Sequence, residues 1–304
     1  MTFDSQLSIV NCCSEAAMPE LPEVETTVLG LRKKVLSRTF VDVWTDFEKL
    51  IKKPSFKEFK KEIKGKEIKA IYREGKNIIF ELSGGYSLLV HQKLTGHLLY
   101  GKWKQKGGKW QAETDHALKE DRMNSYLHLI FFLDNGKMLA LSDLRKFAKI
   151  QLWKKEKLAK ELNSLGPDAL KVSFSEFREI IKSKKGKIKQ VLMEQEVIAG
   201  IGNIYSDEAL WRAKIHPFRV ASGLTKEEIK ALYKSIREVL KKGIEMGGES
   251  ISDYRNLEGE KGGFDGFRKV YRREGEKCLR CGTIIQRKKI GGRSTHFCPK
   301  CQRL

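Results

Sequence analysis

Apolar positions change their period three times along the chain. Val24, Val28, Leu31 and Val35 recur at helical spacing behind Met-Pro-Glu-Leu-Pro-Glu-Val-Glu at 18–25. Pro22 suits a first helical turn, where Glu23 and Glu25 face the positive end of the dipole. From residue 39 to 153 the period shortens. β-rich runs recur at 39–43, 68–72, 78–82, 88–90, 126–133, 138–141 and 150–153, parted by turn signals such as Gly84-Gly85, Gly107-Gly108 and Asn135-Gly136. This predicts an antiparallel sandwich or barrel. Residues 154–163 are polar and charged, and Gly166-Pro167-Asp168 breaks structure. Helical spacing returns at 174–182, 188–194, 204–214 and 226–244. Residues 247–266 are Gly-rich and polar, and the chain ends in a cysteine-bearing hairpin.

The expected organisation is α+β and multidomain. An N-terminal extension (1–17) precedes an antiparallel sandwich or barrel domain with flanking helices (18–153). A linker (154–170), a helical domain (171–246), a mobile loop (247–266) and a zinc-binding hairpin (267–304) follow. No internal repeat is visible.

Composition narrows the partner. The 304 residues carry a net charge of +21, which implies a polyanion, nucleic acid ahead of an anionic membrane. Residues 1–17 hold Asp4 and Glu15 but no Lys or Arg, so the excess lies downstream. They lack the basic start of a signal peptide, and no apolar run approaches the roughly 18 residues of a spanning helix. A soluble cytoplasmic protein is expected.

Cys278, Cys281, Cys298 and Cys301 form C-x2-C-x16-C-x2-C. Two tight pairs brought together by a hairpin suit four-thiolate zinc, and a disulfide reading would need an oxidising compartment. No ligand position stays open, so one structural zinc is expected. Cys12 and Cys13 have no ligand spacing around them. Two near-motifs are set aside. Gly96-x4-Gly101-Lys102 has Trp103 where a phosphate loop needs Ser or Thr, and Gly200-Ile201-Gly202 lacks a third glycine and follows a helix.

Pro19 carries the sharpest chemistry. As a chain terminus it would be a secondary amine with a pKa of about 7.7–8, able to attack an aldehyde-level carbon and form an iminium. Acylated by Met18 it is an inert imide. The expectation is therefore that Met18 is the functional start or that residues 1–17 are removed.

Six segments share one order. They are 18–25, Arg-Glu-Gly-Lys-Asn at 73–77, His-Gln-Lys-Leu-Thr-Gly at 91–96 and Asp-Leu-Arg-Lys-Phe at 143–147. Gly-Ile-Gly-Asn-Ile-Tyr-Ser-Asp-Glu-Ala-Leu at 200–210 and Gly-Gly-Arg-Ser-Thr-His-Phe-Cys-Pro-Lys-Cys-Gln at 291–302 complete the set. From Met18 to the C-terminus the chain resembles the formamidopyrimidine-DNA glycosylases of bacteria. That resemblance implies a β-sandwich, a helix–two-turn–helix domain and a zinc finger, acting as a monomer on double-stranded DNA with oxidised bases, in the cytoplasm with the nucleoid. It implies excision of oxidised purines through a Pro19 Schiff base, then β- and δ-elimination. Glu20 matches the general acid, Glu23 a second acid ordering the turn, Lys76 the lysine of elimination and phosphate contact, and Arg293 the finger arginine on phosphates. Asn203 and Lys185 match phosphate contacts. Leu94, Arg145 and Phe147 match the side chains that fill the hole left by a flipped base. Leu94 stands for the usual methionine, Leu144 for a proline and Tyr126 for a DNA-contacting histidine. Two other readings stay open at this level: an endonuclease VIII-type enzyme for oxidised pyrimidines, against which Leu21 and the 247–266 segment count, and a non-catalytic zinc-ribbon nucleic-acid-binding protein.

Overall fold

A computed structural model describes residues 18–113, 116–250 and 253–304. The expected extension at 1–17, with Cys12 and Cys13, lies outside the described residues. The chain runs through α1 (Leu21–Val35), β1 (Phe40–Thr45), β2 (Ile51–Lys53), α2 (Phe56–Ile63), β3 (Ile68–Glu74), β4 (Asn77–Leu82), β5 (Tyr86–His91) and β6 (Gly96–Gly101). A hairpin of β7 (Trp103–Lys106) and β8 (Lys109–Ala112) follows, then α3 (His116–Glu120), β9 (Leu127–Leu133), β10 (Met138–Asp143) and β11 (Lys149–Lys154). Next come α4 (Lys155–Leu162), α5 (Phe174–Ser183), α6 (Ile188–Met193), α7 (Asn203–Arg212) and α8 (Lys226–Glu245), and last β12 (Gln286–Ile290) and β13 (Arg293–Phe297).

Two sheets, ordered β1-β9-β10-β6 and β2-β11-β5-β4-β3, make the sandwich. Neighbouring strands are antiparallel except for β11 on β2. Val43, Leu129, Phe131, Leu139 and Leu141 of the first sheet share a core with Ile71, Ile78, Phe80, Leu88, Val90 and Ile150 of the second, and α1 adds Val24, Val28 and Leu31. The outer faces are covered too. The β7–β8 hairpin shields Ile130 and Ala140 with Trp103, and α4 sets Leu158 on Ile79 and Leu89. Two-sided burial explains why Leu129–Leu133 of β9 reads as a continuous apolar run rather than an alternation.

Two expectations are corrected. Much of the supposed linker is α4, whose charged residues are the outward side of a helix seated through Leu158. The stretch expected to be a mobile loop is, over 253–266, a strap with large apolar anchors spaced among its glycines. Leu257 enters the sandwich core and Phe264 the helical core. Arg255 pairs with Asp121 at 2.6 Å, and the Tyr100 amide donates to the Leu257 carbonyl at 2.8 Å.

The helical domain packs α5, α7 and α8 around Phe177, Ile181, Tyr205, Leu210, Leu232 and Ile236. Ser173 and Thr225 accept amide hydrogen bonds as N-caps of α5 and α8. Consecutive acids of α7 fasten the finger. Asp207 accepts from the buried Lys189 ammonium and from the His296 amide (2.8 Å), while Glu208 accepts from the amides of Lys269, Val270 and Tyr271 at 2.8–2.9 Å. Lys189 also donates to the Ser294 carbonyl at 3.1 Å. No helix among the described residues is long and apolar enough to cross a membrane.

Removing one partner from a buried ion pair strands the other. Lys189→Met should therefore lower unfolding free energy by about 3–5 kcal/mol, with partial recovery in Lys189→Met/Asp207→Asn, as read by urea unfolding.

Candidate active site

Glu20 sits immediately before α1 and is buried. Its carboxylate crosses to the helical domain and accepts from the Ile204 amide (2.9 Å) and the Tyr205 amide (3.4 Å) in the first turn of α7. These amides have no partner inside the helix, and they lie at the positive end of its dipole. The Gly-Ile-Gly segment makes the approach possible. A Cβ on Gly202 would lie 2.3 Å from the Glu20 carboxyl carbon, and one on Gly200, at φ +107, would lie 2.6 Å from Leu21. Burial raises the Glu20 pKa, while Lys76 and the α7 amides oppose the shift.

Glu23 holds the turn from behind. It accepts from the Glu20 amide (2.8 Å), the Tyr205 hydroxyl (2.6 Å) and the Glu249 amide (2.7 Å). Burial and the neighbouring Glu20 push its carboxyl up to about 8. Pro19 is buried beside this pair.

Lys76 follows Gly75 (φ +56) in the turn between β3 and β4 and is buried. Burial pulls its ammonium below the ordinary value, Glu20 and Glu23 pull it back, and Arg293 adds a further lowering. The fold thus brings Glu20, Lys76 and Arg293 into one electrostatic neighbourhood, although they lie on α1's N-terminal side, a sandwich turn and the finger. Arg293 itself is exposed at the start of β13. His91 borders the group. Burial, then Lys93, Lys76 and Lys149, push its imidazole down to about 3, so it stays neutral and its Nδ1 accepts from the Lys93 amide at 3.0 Å.

Leu94, Arg145 and Phe147 occupy two adjacent turns organised by Asp143. Its buried carboxylate accepts from the Thr95 hydroxyl, the Ala148 amide (2.8 Å) and the Arg145 amide (3.3 Å). Each turn contains a left-handed lysine, Lys93 at φ 59 and Lys146 at φ 56. Phe147 is 49% exposed, so it is not core packing, and the Arg145 guanidinium lies 4.7 Å from its ring. Leu94 is half-buried.

Asn203 is the first residue of α7, and its Oδ1 has no hydrogen-bond partner among the described residues. Lys185 is exposed in the α5–α6 connection, whereas Lys189, from the same basic run, is the buried finger anchor. Sequence reasoning missed Asp143, Lys189, Asp207 and Glu208 as organisers. For Asp143 a signal was present, since an aspartate commonly accepts from the amide two residues on.

The four cysteine sulfurs lie within 4.8 Å of one another, with Cys281–Cys298 at 3.4 Å and Cys278–Cys301 at 4.0 Å. Tetrahedral zinc with 2.3 Å bonds sets its sulfurs about 3.8 Å apart, so the residues fit one structural zinc. The Trp211 indole donates to Cys278 Sγ at 3.4 Å, tying the centre to α7.

A sandwich, paired helices whose amide end holds a carboxylate from the sandwich, and a four-thiolate finger together make the architecture of the helix–two-turn–helix DNA glycosylases. Three family models match in chain order: the formamidopyrimidine-DNA glycosylase N-terminal domain (18–150), the formamidopyrimidine-DNA glycosylase H2TH domain (165–255) and a zinc finger found in FPG and IleRS (275–304). The formamidopyrimidine-DNA glycosylase of Pelotomaculum thermopropionicum is 39% identical over 293 residues, which cover 94% of this chain and all of that one. Lactococcus lactis Fpg in complex with abasic-site DNA superposes with a TM-score of 0.82 at 34% identity, covering 94% of this chain and all of that chain. MutM in complex with DNA containing carbocyclic 8-oxo-G gives the same values. The chain belongs to the formamidopyrimidine-DNA glycosylase family.

The Glu23 pKa of about 8 in the fold lies above its ordinary 4.5. The protonated form is favoured by folding, so its contribution is full below about pH 4.5 and is lost as pH rises through 8. The melting temperature of the wild type should therefore fall relative to Glu23→Gln between about pH 5 and pH 9, measured by thermal melts across that range.

Proposed function

We propose that this protein is a base-excision DNA glycosylase with AP-lyase activity that removes oxidised purines, 8-oxoguanine and formamidopyrimidines, from double-stranded DNA. The observation that carries the reading is the burial of Glu20 beside Pro19, with its carboxyl raised and Lys76 as its counter-charge. The relatives solved with abasic-site and carbocyclic 8-oxo-G DNA support the substrate class. It acts as a monomer, with the bacterial nucleoid as its working location.

In this reading the active form begins at Pro19. The start of the family match at residue 18 supports that. The Pro19 nitrogen attacks C1′ of a flipped nucleotide, and the bond to the base breaks, the base leaving with a proton. Glu20, whose pKa burial raises, passes a proton to the ring oxygen as the sugar opens. The resulting iminium acidifies C2′. Loss of a C2′ proton expels the 3′ phosphate, a second elimination expels the 5′ phosphate, and hydrolysis frees Pro19. Lys76 assists elimination and holds phosphate. Arg293 and Asn203 grip the flanking backbone, with Lys185 as an outer contact, and Leu94, Arg145 and Phe147 fill the vacated stack. The zinc, when bound, supplies rigidity to the finger that presents Arg293 and takes no part in bond changes.

Borohydride should trap a covalent adduct between the protein starting at Pro19 and an 8-oxoguanine duplex, more than with an oxidised-pyrimidine duplex. Trapping should vanish in Pro19→Gly; unchanged trapping in that variant, or full activity in a chain that retains residues 1–17, would overturn the mechanism. Cys298→Ser should release zinc, read by metal analysis, and lose tight DNA binding in a mobility-shift assay.

A further inference from the structure

The β7–β8 hairpin plays no part in that chemistry, yet it is firmly built. Trp103 and Trp110 pack with Leu99, Ile130, Phe132 and Trp44, and the Trp110 ring meets Trp44 edge-on at 5.4 Å. What this anchoring leaves outward is cationic: Lys102, Lys104, Lys106 and Lys109 are all exposed. Among the described residues only Lys104 pairs with an acid, Glu113 at 3.8 Å. Lys106 and Lys109 are direct cross-strand partners beside the Gly107-Gly108 tip. Like charges placed opposite one another repel, so this pairing costs stability unless an anion lies against it.

The hairpin also adjoins the wedge. Lys109 and Trp110 line one side of a cleft of ≈540 Å³ whose other side includes Tyr126 and His128. The Tyr126 carbonyl accepts from the Asp143 amide at 2.9 Å, which puts the cleft next to the turn that bears Arg145 and Phe147. The exposed Arg122 joins the rim by donating to the Tyr126 hydroxyl at 2.6 Å. Asp46 lines the cleft as well, but its carboxylate faces His128 Nδ1 at 2.9 Å. Four-residue strands span about 13 Å, roughly four base-pair steps of duplex.

We propose that the β7–β8 hairpin is a second phosphate-binding element that holds the duplex arm outside the lesion. This rests on the glycosylase reading for its partner and extends it beyond the reacting nucleotide. Cationic charge and continuity with the wedge turn favour a DNA backbone as occupant.

The test compares wild type with Lys106→Gln/Lys109→Gln, two exposed positions whose change should leave the melting temperature intact. On a lesion duplex of about 30 base pairs the slope of log affinity against log salt should become shallower by about 2, one unit per lost phosphate contact. On a shorter duplex whose arm on the hairpin side is cut back to the lesion, affinity should be the same for both proteins. Borohydride trapping at saturating enzyme should be unchanged by the substitutions. Equal slopes on the long duplex, or equal losses on both lengths, would overturn the proposal. If wild type traps no lesion while the slope difference persists, the glycosylase reading falls and the hairpin contact stands; if neither protein binds DNA, both fall.

Discussion

The arrangement depends on a single carboxylate held by a helix end. Glu20 belongs to the sandwich domain by sequence, yet its oxygens are bound by the opening amides of α7. Burial alone would make this acid a liability, because an unpaired buried charge is expensive. The α7 amides and Lys76 offset that cost and leave an acid whose proton is retained further up the pH scale than usual. The same contact joins the two domains, so this carboxyl and the domain interface are one piece of structure. Gly200 and Gly202 follow from it, since neither position has room for a side chain.

The two turns that carry Leu94, Arg145 and Phe147 obey a second constraint of similar kind. Asp143, fully buried, accepts from groups on both turns, each of which holds a lysine in the left-handed region. The conformational cost of those turns is met when the protein folds. Phe147 and Arg145 are then exposed in fixed positions rather than collapsed onto the core.

Legibility in the sequence varied with the physics involved. Helices α5 and α8 were visible because one apolar face repeats at 3.6 residues behind the polar caps Ser173 and Thr225. Strands buried on both faces appeared as continuous apolar runs. The strands β6 to β8 were not visible: β6 is bounded by Gly96 and Gly101, and β7 and β8 carry Lys and Gln around two tryptophans. The strap at 253–266 was misread because glycine content outweighed two well-spaced anchors, Leu257 and Phe264. Pro19, Glu20, Lys76 and Arg293 were singled out through ordered motifs, and the fold brings Glu20, Lys76 and Arg293 into one electrostatic neighbourhood. Lys189 was not, since a lysine inside a basic run resembles solvated charge, and only tertiary structure shows Asp207 against it.

The finger's attachments bear on modularity. Fingers of this kind are described in more than one protein family, as though they were portable units. Here its partners Lys189, Asp207, Glu208 and Trp211 all belong to the helical domain, and all four are buried. Excising or exchanging the finger would open the helical domain at two buried carboxylates and a buried ammonium. Exchange at this boundary therefore needs a recipient helix that offers equivalent acceptors for the finger's amides and for Lys189.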